Sequence, residues 1–309
     1  MDDSKTLAIR LIQKGYSQEA LRKVFHEKGY PDDAVDNALE ELGFPKPAEK
    51  AAEPPEIKKI LEAKKSPPGE FFKTGVEGFD SLLEKGIPKG ITILVSGSAG
   101  TGKTLFCLNA MSNLSKQGFV CLYISLEESE DRLRKHMDDM GLENDMIAIV
   151  RVDPFRISRS VEALQIKAEG RLLAKLEDVV EIIPKGMKPD FIFIDSITAI
   201  AAAFAGREVN YRVYIEQLFK YLEQIKATTF LISETTDAPR KLSPTGVEEF
   251  LADGIIVVYH IQNRMSRERV IEILKMRGAK HKEKLVPFEI TSTGVIIHPD
   301  QEVFAEFDK

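Results

Sequence analysis

The chain has 309 residues, with 43 Lys and Arg against 49 Asp and Glu, a net charge of −6. That length holds two domains or one large domain with an appendage, and the acidic balance excludes a globally basic nucleic-acid coat. The composition, 43% hydrophobic and 30% charged, is that of a soluble globular chain. Its longest apolar runs, such as Phe191–Ile194 and Ile255–Tyr259, are strand-sized, far below the ~20 residues of a membrane helix. The start, Met1-Asp2-Asp3-Ser4, carries no signal-peptide pattern, and Cys107 and Cys121 lie in apolar segments without C-x-x-C spacing. The expected compartment is the cytoplasm, with both thiols buried and reduced.

The first 45 residues repeat a short unit. Lys14-Gly15-Tyr16-Ser17-Gln18-Glu19-Ala20-Leu21 recurs as Lys28-Gly29-Tyr30-Pro31-Asp32-Asp33-Ala34-Val35, and Leu42-Gly43-Phe44 echoes its ending. Each Gly stops a helix, and Ser17 or Pro31 opens the next. Residues 1–45 are therefore predicted as a small helical interaction unit whose thin core suits docking to a protein partner. Residues 46–70, rich in Pro, Ala, Glu and Lys, read as a linker with a short helix at Glu56–Lys65. A second domain is expected over residues 71–309.

From Phe71 onward, apolar runs alternate with amphipathic segments. Strands are predicted at Ile91–Ser96, Phe119–Ser125, Ile147–Val152, Phe191–Asp195 and Thr228–Ser233. Helices are predicted at Thr104–Gln117, Ser129–Gly141, Ser158–Val180 and Glu208–Lys226. This alternation predicts an α/β fold with a mainly parallel sheet covered on both faces. Four further strands, Gly254–His260, Arg269–Met276, Val286–Ile290 and Val295–His298, follow without helices between them and are expected to extend the sheet as antiparallel hairpins.

Gly97-Ser98-Ala99-Gly100-Thr101-Gly102-Lys103-Thr104 matches G-x-x-x-x-G-K-[ST] between a strand and the helix predicted from Thr104, and the next residue, Leu105, is counted with the loop as a nucleotide-binding candidate. Backbone N–H groups of such a turn bind a β-phosphate, Lys103 bridges the β- and γ-phosphates, and the Thr104 hydroxyl ligates Mg²⁺. Phe191-Ile192-Phe193-Ile194-Asp195 is an apolar strand ending in an acid, the Walker B pattern. Asp195 at the carboxyl edge of the sheet suits a Mg²⁺-bound water. ATP and Mg²⁺ are the expected ligands, and the absence of an N-K-x-D motif disfavours GTP. Leu126-Glu127-Glu128 follows a strand expected to lie beside the phosphate loop. Glu127, and then Glu128, is a candidate to orient and deprotonate the attacking water, although both also suit the first turn of the next helix. The five histidines are scattered without H-E-x-x-H spacing, which speaks against a zinc site.

Thr74-Gly75-Val76-Glu77-Gly78-Phe79-Asp80-Ser81-Leu82-Leu83, Gly86-Ile87-Pro88-Lys89-Gly90, the phosphate loop, the Glu127-Glu128 pair and Ile194-Asp195-Ser196-Ile197-Thr198 together resemble the KaiC-like ATPases of the RecA superfamily. So do Gly246–Gly254, Leu274-Lys275-Met276-Arg277-Gly278-Ala279-Lys280-His281 and Val286–Thr291; the blocks run in the family's order over residues 73–299. The resemblance implies a RecA-like core, homo-oligomeric rings, commonly hexamers, with ATP between subunits, and slow hydrolysis. It also implies that Lys275 and Arg277 reach a neighbour's γ-phosphate and that His281 lies near the nucleotide. On the residues alone, Lys275 and Arg277 are two cations on one strand face, which equally describes an exposed basic edge. Clock members carry two ATPase domains and phosphorylate themselves; one such domain is present here, so a clock role and autokinase activity are not carried over.

A DNA-acting recombinase or helicase relative is the alternative, with Arg151, Arg156, Arg159, Arg264, Arg267 and Arg269 lining a lumen. The negative net charge and the lack of an aromatic-basic loop disfavour it. A nucleotide-switched scaffold with little turnover is the other.

Overall fold

The computed structural model describes residues 70–142, 146–167, 183, 187–236, 238, 240–263, 266–301 and 303, with residues 24–25 and 30–31 of the N-terminal part. The chain divides into two compact units, Met1–Pro55 and Glu56–Lys309. In the first, Phe25 is buried, and its ring meets that of Tyr30 edge-on at 5.3 Å. The rest of the predicted helical unit and the linker 46–69 lie outside the described residues.

The described part of the second unit begins with a two-residue antiparallel pair, β1 (Phe71–Phe72) with β2 (Ile87–Pro88), around a 3₁₀ turn at Phe79–Leu82. Asp80 ties this turn together by accepting from the Thr74 and Gly75 N–H groups, both at 2.8 Å. Then come β3 (Thr92–Gly97), α1 (Lys103–Lys116), β4 (Cys121–Ser125), α2 (Glu130–Asp139), β5 (Ile147–Arg151), α3 (Pro154–Lys167) and β6 (Phe191–Asp195). They are followed by α4 (Ile197–Ala203), α5 (Glu208–Ile225), β7 (Thr228–Glu234), α6 (Val247–Leu251) and β8 (Gly254–Asn263). The last described elements are β9 (Ser266–Met276), β10 (Val286–Thr291) and β11 (Gly294–Ile297).

The nine-stranded sheet has the order β11-β10-β9-β8-β3-β7-β6-β4-β5. Six strands, β8 through β5 in that order, are parallel, and β9, β10 and β11 follow as antiparallel hairpins. Because both faces are covered, inward and outward residues are alike apolar and the period-2 alternation sorts them between two cores. Ile93, Val95, Tyr123, Phe193, Phe230 and Ile232 face α1 and α2. Leu94, Leu122, Ile124, Ile192, Ile194 and Leu231 face α3, α4 and α5. The helices match this: α5 buries Tyr211, Tyr214, Ile215, Leu218, Phe219 and Leu222 at helical spacing. Phe193 and Phe230 stack across neighbouring strands at 4.9 Å. Among the described residues, no helix is long and apolar enough to cross a membrane.

Three expectations are corrected. The strand ending before Glu127 is not beside β3: β7 and β6 stand between them, because crossover connections rather than local pattern set the strand order. The first of the four late strands, β8, pairs with β3 in parallel, and only the strands after it are antiparallel. The predicted helix Ser158–Val180 begins earlier, at Pro154, which suits a first helical turn; its predicted end lies outside the described residues.

Candidate functional site

Strand β3 delivers the phosphate loop to the carboxyl edge of the sheet. Gly100 and Gly102 adopt φ of +76° and +106°, left-handed values that favour Gly. A Cβ on Gly102 would also stand 3.2 Å from Ile290 Cδ1, so β10 closes tightly over the turn. No side chain caps α1 at Gly102, which leaves first-turn N–H groups for a ligand. The loop is braced from within: Thr101 Oγ1 and Lys103 Nζ both donate to the Ser98 carbonyl, at 2.9 and 2.8 Å.

A cavity of about 340 Å³ opens beside this turn. Gly100, Gly102, Lys103 and Thr104 of the turn line it together with Glu234, and so do Leu105, Leu108 and Met140, with Glu128, His136 and Asp139. Lys103 is nearly fully buried, and burial pulls its ammonium below the usual lysine range; Glu234 and then Asp195 oppose that shift. Glu234, at the tip of β7, holds Lys103 Nζ at 3.5 Å.

At the tip of β6, Asp195 accepts hydrogen bonds on Oδ2 from Thr104 Oγ1 at 2.7 Å and Tyr123 OH at 2.6 Å. Burial raises the Asp195 pKa, and the two hydroxyl bonds act against that rise. Thr104 and Asp195 form a hard-oxygen pair that fits Mg²⁺, which takes one or two protein oxygens and fills the remaining positions with water and phosphate. The pair does not amount to a protein cage, and no group of three or more His, Cys, Asp or Glu able to hold a metal occurs among the described residues.

Glu127 and Glu128 sit beyond β4, next to β6. Ser196, the N-cap of α4, donates its hydroxyl to Glu127 Oε1 and accepts from Ala199 N–H. The exposed Glu127 carboxylate is thereby fixed one residue from Asp195. Glu128 faces the cavity but pairs with Arg132 at 3.3 Å, and His136 lies 4.0 Å away.

Residues 72–302 match the family described as ATPase: KaiC. The chain belongs to the KaiC ATPase family. It is 32% identical over 230 residues to a circadian clock oscillator protein KaiC of Parathermosynechococcus lividus, covering 74% of this chain and 42% of that protein. The KaiC of Nostoc sp. is 34% identical over 236 residues, covering 74% and 44%. The chain thus spans less than half the length of these curated relatives. A crystal structure of a KaiC-like protein from the hyperthermophilic archaeon Pyrococcus horikoshii OT3 is 31% identical with a TM-score of 0.60, covering 75% of this chain and 100% of that one. The sheet order and antiparallel extension are those of a RecA-like KaiC fold.

Within this KaiC domain, Lys275 and Arg277 lie at the amino edge of the parallel sheet, away from their own phosphate loop. Arg277 N–H donates to the Asp253 carbonyl, and Asp253 N–H to the carbonyl of Thr92 at the start of β3. Lys275 Nζ donates to the carbonyls of Ala252 at 2.6 Å and Glu249 at 3.3 Å, and Arg277 pairs with Asp253 at 3.0 Å. Both cations therefore flank one segment, and β9 ends at Met276, so that Arg277 opens the turn. His281 pairs in a bridge with Leu83, and its buried Nδ1 has no hydrogen-bond partner among the described residues. Of the arginines considered for a lumen, Arg151 ends β5 and Arg156 and Arg159 lie on α3, with Arg159 pairing to Asp153 at 3.2 Å. Arg267 and Arg269 lie on β9, and Arg264 is outside the described residues.

Sequence reasoning missed Tyr123 and Glu234. A Tyr inside an apolar strand and a Glu at a strand tip carry no motif; only the sheet order brings them to Asp195 and Lys103.

Proposed function

We propose that this chain binds ATP with Mg²⁺ and hydrolyses it slowly as a subunit of a cytoplasmic homo-oligomeric ring, each site shared between neighbours. Residues 1–45 dock a protein partner that the nucleotide cycle regulates, and residues 46–70 tether them to the ATPase domain. The observation that carries this reading is that Gly100, Gly102, Lys103 and Thr104 line one cavity together with Leu105, Leu108 and Met140, while Thr104 is hydrogen-bonded to Asp195.

The apolar side chains of the lining, Leu105, Leu108 and Met140, take the base; the turn from Gly97 to Thr104 takes the phosphates through its N–H groups and Lys103. Thr104 and Asp195 hold Mg²⁺, which supplies positive charge to the phosphate oxygens. Glu127, held by Ser196, orients water and accepts its proton as the water oxygen bonds to the γ-phosphorus and the bond to the bridging oxygen breaks, releasing ADP and phosphate. Lys103 is one cation against a triphosphate of about four negative charges, so further positive charge is needed in the transition state. Lys275 and Arg277 supply it to a neighbour, since their place at the opposite edge of the sheet keeps them from their own phosphates. Lys103→Ala tests the site: titration with ATP should show binding abolished or severely weakened, and near-native affinity would sink the assignment.

A further inference from the structure

Glu234 lines the cavity beside the phosphate loop with a negative charge, which offsets the burial of Lys103 but opposes an incoming polyanion. The residue is firmly placed. In the sheet register it stands opposite Gly97, the first residue of the phosphate loop. Its N–H donates to Thr198 Oγ1 at 2.8 Å, in the first turn of α4 behind Asp195. The next residue, Thr235, donates its N–H to the Gly97 carbonyl at 3.1 Å. The carboxylate is thus anchored beside the turn and holds Lys103 Nζ at 3.5 Å; its side chain is 44% exposed and that of Lys103 4%, so the pair offsets the burial of the ammonium until a phosphate takes its place.

Lys103 fixes which part of a nucleotide comes nearest Glu234. A lysine in this motif bridges the β- and γ-phosphates, and Lys103 and Glu234 line the same cavity with their charged groups 3.5 Å apart. A third phosphate brought to Lys103 therefore comes beside the Glu234 carboxylate. We infer, building on the nucleotide reading above, that Glu234 sets the preference between nucleoside tri- and diphosphates: it competes for Lys103 and repels the terminal phosphate. ATP is then held less tightly, relative to ADP, than the phosphate loop alone would hold it.

The test is isothermal titration calorimetry on the full chain with Mg²⁺ and either ADP or the β,γ-imido analogue of ATP. Removing one unit charge beside the terminal phosphate, at an effective dielectric of about 20, should tighten the analogue about tenfold in Glu234→Gln and ADP no more than about threefold. Glu234→Asp keeps the charge and should gain less than about threefold for the analogue. Equal gains for both nucleotides in Glu234→Gln, or no gain, overturn the inference while leaving the phosphate-loop reading intact. If the wild-type chain binds neither nucleotide, or if Lys103→Ala binds them as well as wild type, the phosphate-loop reading fails and this inference falls with it.

Discussion

Tyr123→Phe isolates one hydrogen bond at the centre of the site. Tyr123 is fully buried in β4, and its hydroxyl donates to Asp195 Oδ2 at 2.6 Å. The carboxylate accepts one other side-chain bond among the described residues, from Thr104. The ring lies nearly parallel to Phe193, at 6.3 Å and 14°, so Phe keeps the packing and deletes only the hydroxyl. A hydrogen bond to a charged group contributes about 1.5–3 kcal/mol, and the expected loss at neutral pH is about 2 kcal/mol. The sign with pH follows from Asp195. Burial raises its folded-state pKa above the unfolded value, so the ionised carboxylate opposes folding at neutral pH; removing a donor raises that pKa further and deepens the penalty. As pH falls through the folded-state value, both proteins carry a neutral carboxyl, and the stability gap narrows. Urea denaturation from neutral toward acid pH reads this directly, and Mg²⁺-dependent ATP hydrolysis should fall in parallel. A neutral-pH loss below about 0.5 kcal/mol, or a gap that widens on acidification, would refute the reasoning.

Glu127→Gln keeps the shape and the Ser196 contact but removes the base, so ATP binding should persist while hydrolysis falls on the order of 10²-fold or more; turnover within a few-fold of wild type would move the base elsewhere, with Glu128 next to test. Both cysteines are buried and neither is in a disulfide among the described residues, and burial first, then the Asp195 charge, pushes the Cys107 thiol well up. A thiol reagent near neutral pH should therefore label neither residue until denaturant is added, and rapid labelling of the folded chain would contradict the packing described here.

The parallel strands were legible because burial on both faces leaves continuous apolar runs, and β6 falls at the predicted Phe191–Asp195. The phosphate loop was legible because its glycines, Lys103 and Thr104 are adjacent in sequence. The order of strands was not, since it depends on which crossover passes which edge; the expected neighbour relation of β3 and β4 failed for that reason. Two short helices escaped notice. The 7 residues of α4 and the 5 of α6 are too brief to show periodicity, although Ser196 as an N-cap was a usable signal for α4. Glu248 on α6 shows what such a signal lacks. It is a fully buried carboxylate satisfied by Tyr211 at 2.5 Å and Thr245 at 2.9 Å, partners 37 and 3 residues away.

The shared site is tested most directly by mixing two inactive variants. Arg277→Ala lacks the group given to the neighbour, and Glu127→Gln lacks the base kept at home. An arginine supplied in trans accelerates phosphoryl transfer by roughly 10³–10⁵-fold, so each variant alone should be nearly silent. In mixed rings, some interfaces join an intact Glu127 to an intact Arg277, and part of the ATPase activity should return on mixing. If mixed rings demonstrably form and no activity returns, or if dilute monomer hydrolyses ATP at the full rate, the site is not shared between subunits.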